Sequence, residues 1–370
     1  MARKSPSAKN HMPVKHVQVL RYQHREENSR RRSEGLNVSL SATGNSKVHV
    51  SVTNTGTSET PVLIVNTLLD KSPTKKVTVY KEGSEKEVPF KGIHIRHYPS
   101  SLTRDAFQLI APGQTIETEL DLAETFDLSE NSTYIVSAEG IFPFSDAKST
   151  RIAGVIPYKS NEIRIKVNDK QSSNILSARA KHHNLARRAD FGNGGCNDQQ
   201  KAVIARALKR ASNIATQASS AAQHGDARLF EQYFRTTDRT IRKQVSDRFR
   251  AIANEAESSI AGTVKYQCHD AMNVCSRPGA IAYAVSGSNI VVNCPIFYSA
   301  GVSLHECDSG DRALTVIHEF SHIDAVYYPA TTDIAYGEDA SIALTPDMAF
   351  RNADNYIFYA NAIRQNCSPS

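Results

Sequence analysis

Thr315-Val316-Ile317-His318-Glu319-Phe320-Ser321-His322 sets two histidines four residues apart, with a glutamate directly after the first. On a helix that interval is about one turn, so both imidazoles share a face and can reach one zinc ion. Glu319 then projects beside the ion, where its carboxylate can take a proton from an attacking water. Leu314, Val316, Ile317 and Phe320 are apolar and would bury the helix, shielding the metal. A catalytic zinc takes three protein donors and keeps one position open, so a third donor is needed. The extended pattern H-E-x-x-H-x-x-G-x-x-H fails at Ala325 and Tyr328. Two candidates remain: Glu338, and Asp333 beyond the break at Pro329, where the chain can turn back. Asp324, Asp339, Asp347 and Asp354 read as caps or surface charges.

The elements that must carry these residues are helical. Residues 198–222 are alanine-rich, with Val203, Ile204, Ala207, Leu208, Ala211 and Ile214 at helical spacing. Residues 227–252 repeat the pattern through Phe230, Tyr233, Phe234, Ile241, Val245 and Phe249, and helix resumes near residue 312. Between them, Ile281-Ala282-Tyr283-Ala284-Val285 and Asn289-Ile290-Val291-Val292-Asn293, joined by Ser286-Gly287-Ser288, predict a β-hairpin.

Residues 36–170 follow a different rule. Leu36-Asn37-Val38-Ser39-Leu40 and Val48-His49-Val50-Ser51-Val52 alternate apolar and polar, the period of half-buried strands. Val77-Thr78-Val79-Tyr80, residues 115–120, Tyr134-Ile135-Val136 and Ile163-Arg164-Ile165 continue the pattern. Thr43-Gly44-Asn45 and Pro112-Gly113 punctuate it. Residues 61–69 read as a buried strand. An antiparallel β-sandwich is expected here, with no catalytic constellation, and His94 and His97 are expected on its surface.

The chain of 370 residues is long enough for two cores, and 40% apolar with 22% charged residues is ordinary globular composition. No apolar run approaches the roughly 18 residues of a membrane span, so no membrane partner is expected. Residues 1–35 are basic and lack the apolar core of a signal peptide. They read as a solvated tail rather than a nucleic-acid-binding arm. Residues 171–188 read as a linker ending in the dibasic pair Arg187-Arg188, open to a processing peptidase. Residues 189–370 carry 16 Lys+Arg against 19 Asp+Glu, whereas the N-terminal part carries 28 against 19. Opposite charge favours docking of the two parts. The ten acidic and three basic residues of 306–370 favour basic substrates. All six cysteines (Cys196, Cys268, Cys275, Cys294, Cys307 and Cys367) fall in the second half without a CxxC pair. That pattern predicts disulfides and hence secretion, and the sequons at Asn37 and Asn131 agree with it.

Thr331-Thr332-Asp333-Ile334-Ala335-Tyr336-Gly337 resembles the G-T-x-D-x-x-Y-G signature of the deuterolysins, the fungal neutral protease II family of aspzincins. The cysteine spacings, the Asn352-Ala353-Asp354-Asn355-Tyr356 run and the order of β-rich region, basic pair and helical region extend the likeness over the chain beyond the tail. Ala330 departs from the signature glycine. The resemblance implies a zincin-like α+β catalytic domain over residues 189–370, mainly helical, preceded by a β-sandwich propeptide that acts as an intramolecular chaperone and inhibitor. It implies one zinc per catalytic domain, held by His318, His322 and Asp333, with Glu319 catalytic and Tyr336 stabilising the tetrahedral intermediate. A core or cap tyrosine is the competing reading of Tyr336. The implied disulfides are Cys196–Cys268, Cys275–Cys294 and Cys307–Cys367. The expected protein is a secreted, monomeric zinc endopeptidase acting on proteins or peptides after cleavage near Arg187-Arg188. A peptidyl-lysine metalloendopeptidase and a secreted, non-catalytic zinc-containing binding protein are the rivals.

Overall fold

The computed structural model describes residues 35–128, 131–146, 148–188, 192–258, 261–299 and 311–367. The basic tail up to residue 34 and Cys307 therefore lie outside the described residues. β1 (Leu36–Gly44) and β2 (Lys47–Asn54) pair antiparallel, with Val38 opposite Val52 and Leu40 opposite Val50. The turn between them uses Gly44 (φ 142°) and Asn45 (φ 36°), the residue types that tolerate positive φ. They are followed by β3 (Thr60–Leu63), β4 (Thr78–Lys81), β5 (Ile93–His97), β6 (Phe107–Ile110), β7 (Thr115–Asp121), β8 (Ser132–Ser137), β9 (Glu139–Ser145), β10 (Ile152–Lys159) and β11 (Ile163–Val167).

The N-terminal region is antiparallel β structure, as its alternation predicts. It is divided into three sheets of order β1-β2-β7, β10-β9-β3-β6 and β11-β8-β4. Val38, Val50, Val52, Val62, Val136 and Phe142 meet in one core between them. β9 hides in the sequence because Ile141-Phe142-Pro143-Phe144 is a continuous apolar run rather than an alternating one. β5 belongs to none of these sheets.

The C-terminal region contains α1 (Ala178–Arg188), α2 (Asp198–His224), α3 (Ala227–Phe234), α4 (Arg239–Glu257), α5 (Arg312–Ser321), α6 (Pro346–Arg351) and α7 (Ala353–Gln365). Asn197 and Gln200 form a reciprocal capping box that starts α2. Its buried alanines let α4 approach closely enough for the Ser219 hydroxyl to bond the Ser246 carbonyl at 2.8 Å. The helical pattern of 227–252 is two helices: Arg235 takes a left-handed conformation (φ 59°), and Asp238 caps a new start. The expected linker is also partly helical. Residues 178–188 lack Gly and Pro and are rich in Ala and Arg, which favours α1 over extended chain.

β12 (Lys265–Gln267), β13 (Ala280–Val285) and β14 (Ile290–Asn293) make a small mixed sheet beneath the helices. The hairpin β13–β14 lies where the sequence predicts it, and β5 from the N-terminal region completes its far edge in the order β12-β14-β13-β5. Disulfides Cys196–Cys268 and Cys275–Cys294 tie this sheet to its surroundings. The third expected pair involves Cys307 and so falls outside the description.

Candidate metal centre

α5 is fixed at its start by Asp311, fully buried, whose carboxylate accepts from the backbone N–H groups of Ala313 and Leu314. Arg210 (2.9 Å) and Arg364 (2.6 Å) hold the same carboxylate. Residues 313–321 are all buried, and His322 is the C-cap, still in helical conformation. His318 and His322 therefore face one side, one turn apart.

The chain returns to this face through residues 331–337. Asn352 pins that loop: its side-chain oxygen accepts from Ile334 N (2.9 Å) and Ala335 N (3.0 Å), and its amide donates to Ala335 O (3.1 Å). Gly337 (φ 82°) supplies the positive φ needed after Tyr336. Ala330, at the signature glycine, is not among the residues with positive φ, so the alanine costs no strain there.

The loop delivers Asp333. Its Oδ1 stands 3.1 Å from His318 Nε2 and 3.2 Å from His322 Nε2. Donors bound to one tetrahedral ion at 2.0–2.2 Å lie about 3.4 Å apart, so Asp333 Oδ1 stands near that spacing from each histidine. The other ring nitrogens each face an oxygen atom. His322 Nδ1 faces the Thr331 carbonyl at 3.0 Å, which leaves Nε2 to offer a lone pair. His318 Nδ1 is 2.9 Å from Asp354 Oδ1. Asp354 was expected as a cap or surface charge. It is instead buried beside His318, with its other oxygen accepting from Gly337 N at 2.9 Å.

Both Asp333 oxygens, both Glu319 oxygens and Nε2 of each histidine are buried and lack a hydrogen-bond partner among the described residues. Buried polar atoms rarely go unsatisfied, and so many around one point fit a cation. The local field agrees. Burial lowers His318, but the Asp333 and Asp354 carboxylates outweigh it and push it up to about 9. Asp333 is held well below the carboxylate range by His322 and His318, against its own burial. Burial lifts Glu319 to about 7, opposed by the two histidines. The alternative donor Glu338 is turned away and accepts from Tyr233 OH at 2.5 Å.

Tyr336 and two histidines of the N-terminal region also stand near the centre. Tyr336 is beside the centre, its ring 6.4 Å from that of His318, but its hydroxyl donates to the Ile95 carbonyl at 2.6 Å. His94 and His97 are not on a surface: both are only 4% exposed, because β5 is a strand of the other region's sheet. His94 stacks on His322 with ring centroids 4.2 Å apart. Donor atoms of His94, His322 and Asp333 all lie within 4.8 Å of one another. Alternation alone could not reveal this, since the strand's partner is remote in sequence.

A buried His-Glu-His helix joined by a returning aspartate is an arrangement that suits a metalloprotease. The chain belongs to the deuterolysin metalloprotease (M35) family, whose model matches residues 17–367. It is 68% identical over 341 residues to a Neutral protease 2 homolog of Blastomyces gilchristii, covering 92% of this chain and 93% of that protein. It is 37% identical over 336 residues to Neutral protease 2 of Aspergillus oryzae, covering 90% and 93% respectively. The protein is accordingly a metalloendopeptidase.

Proposed function

We propose that the chain is the precursor of a secreted zinc endopeptidase, cleaved near Arg187-Arg188 to release a catalytic domain of residues 189–370. The observation that carries the zinc centre is the placing of Asp333 Oδ1 within 3.2 Å of both His318 Nε2 and His322 Nε2, beside the unpartnered Glu319 carboxylate. Two imidazoles and one carboxylate suit zinc and leave a position open. Zinc held there would supply a Lewis acid that makes water more acidic and polarises the scissile carbonyl.

The remaining work falls to side chains. Glu319 takes the proton of the attacking water and returns one to the leaving amine. Asp354 and Thr331 orient the two histidines. Once Ile95 has left, the Tyr336 hydroxyl can donate to the developing oxyanion. The acidic balance of 306–370 supports a preference for basic proteins, and so does the buried Arg96 within electrostatic reach of Glu319. Disulfides Cys196–Cys268 and Cys275–Cys294 support an oxidising, extracellular setting.

The test is to cut the full chain with a dibasic-specific peptidase, then incubate it with histone or protamine, with and without a zinc chelator, mapping every cut. Chelator-sensitive cleavage at varied sites is expected. Cuts only before lysine would identify a peptidyl-lysine endopeptidase. No cleavage by the folded, zinc-loaded protein would favour a non-catalytic zinc-containing protein.

A further inference from the structure

β5 leaves the N-terminal sheets and runs antiparallel along β13, with His94 opposite Ala284, Ile95 opposite Tyr283 and Arg96 opposite Ala282. Without it, β13 would be an edge strand presenting unpaired N–H and C=O groups, the kind of edge to which an extended peptide adds. Three features set β5 apart from a strand that merely fills this edge. His94 projects into the metal centre, stacked on His322 and 3.9 Å from Asp333 Oδ2. The Ile95 carbonyl is held by Tyr336 OH at 2.6 Å and by the Asn66 side-chain amide at 2.8 Å, as a substrate carbonyl would be held. Arg96, two residues beyond His94 and thus on the same face of the strand, is buried within electrostatic reach of Glu319.

We propose that β5 is an internal latency strand, and that His94 takes the open position of the metal in the uncleaved chain. The inference rests on the metallopeptidase-precursor reading above. Imidazole is a good zinc ligand, so His94 there excludes the water that Glu319 must activate. Two stacked rings cannot both hold one ion in their planes, so the His94 ring tilts off His322 as it binds. Cleavage in the region of Arg187-Arg188 lets β5 and its imidazole leave together, which restores the open position and the free edge of β13. Latency thus acts at the ligand shell as well as by covering the cleft.

The test uses the full-length chain, confirmed uncleaved by mass and loaded with Co2+, beside His94→Ala and His94→Phe. The phenylalanine variant keeps a ring against His322 and guards against a mere folding defect, which circular dichroism checks. The wild-type precursor is expected to give the visible spectrum of a centre with three nitrogen donors, unchanged by added acetohydroxamate. Both variants are expected to lose intensity, to shift on adding acetohydroxamate, and to release metal to a chelator severalfold faster. Wild type and folded His94→Phe with the same spectrum and the same response to acetohydroxamate would overturn the role of His94 and leave the metal centre standing. Failure of all three proteins to take up cobalt would overturn the metal centre and this inference together.

Discussion

Asp354 would reach a bound ion only through His318, and its removal should show how much a supporting carboxylate contributes. Asp354→Asn keeps the shape but weakens the acceptor 2.9 Å from His318 Nδ1. Metal affinity should fall by about 10–100-fold, read by chelator competition, with the fold unchanged. Unaltered affinity would mean that packing alone orients His318. Tyr336→Phe, assayed after processing, should lower kcat by about 100-fold while leaving KM and metal content near wild type, the signature of a lost oxyanion donor. A core role for Tyr336 would instead appear as lost stability with kcat intact. At this scale the sequence was most legible where chemistry demands a spacing: His318, Glu319 and His322 announce themselves four residues apart. Asp333 needed the family signature to be chosen over Glu338. Asp354 was concealed because an aspartate at a helix start usually caps it. His94 was concealed because its neighbours lie in another region of the chain.

The catalytic helix depends on one buried group at its start. Asp311→Ala removes the cap of α5 and leaves Arg364, only 14% exposed at its side chain, without its carboxylate. A loss of about 3 kcal/mol is expected in urea unfolding, from a lost cap together with a broken buried pair. A loss below about 1 kcal/mol would mean that Arg210 and Arg364 find other partners at little cost. Alternation revealed β1 and β2, whose buried and exposed residues take turns, while the hairpin β13–β14 was marked by its turn Ser286-Gly287-Ser288 and its short apolar runs, β13 being buried throughout. It missed the break between α3 and α4, since the apolar period runs through Arg235 and only the left-handed backbone there ends the helix. It missed β5 as a strand of the second sheet, because alternation gives a strand's faces and not its partner.

Across the whole molecule, the N-terminal region is held over the metal centre by specific contacts. Arg277 pairs with the buried Asp70 at 3.0 Å, and Ile141 packs with Ala335, Leu344 and Met348 beside the Asp333 loop. Arg277→Ala should weaken the hold of the cleaved N-terminal piece on the rest by about 1.5 kcal/mol, roughly tenfold in dissociation constant, because Arg277 is partly exposed and Lys76 still faces Asp70. Titration of the two separated pieces measures it, and an unchanged constant would assign the hold to apolar packing and β5. The two-region organisation was visible in composition and charge. The way one region reaches into the other was not, because pairing across regions leaves no local trace.

The proposed activity needs a single metal site in which Glu319 does chemistry and Asp333 holds the ion. Zinc content and turnover measured together on processed Glu319→Gln and Asp333→Ala test it most directly. Glu319→Gln should keep stoichiometric zinc and lose about 10²–10⁴-fold in kcat, while Asp333→Ala should lose the zinc itself. Near-normal turnover in Glu319→Gln would remove Glu319 from the chemistry, and full zinc in Asp333→Ala would remove Asp333 from the ligands.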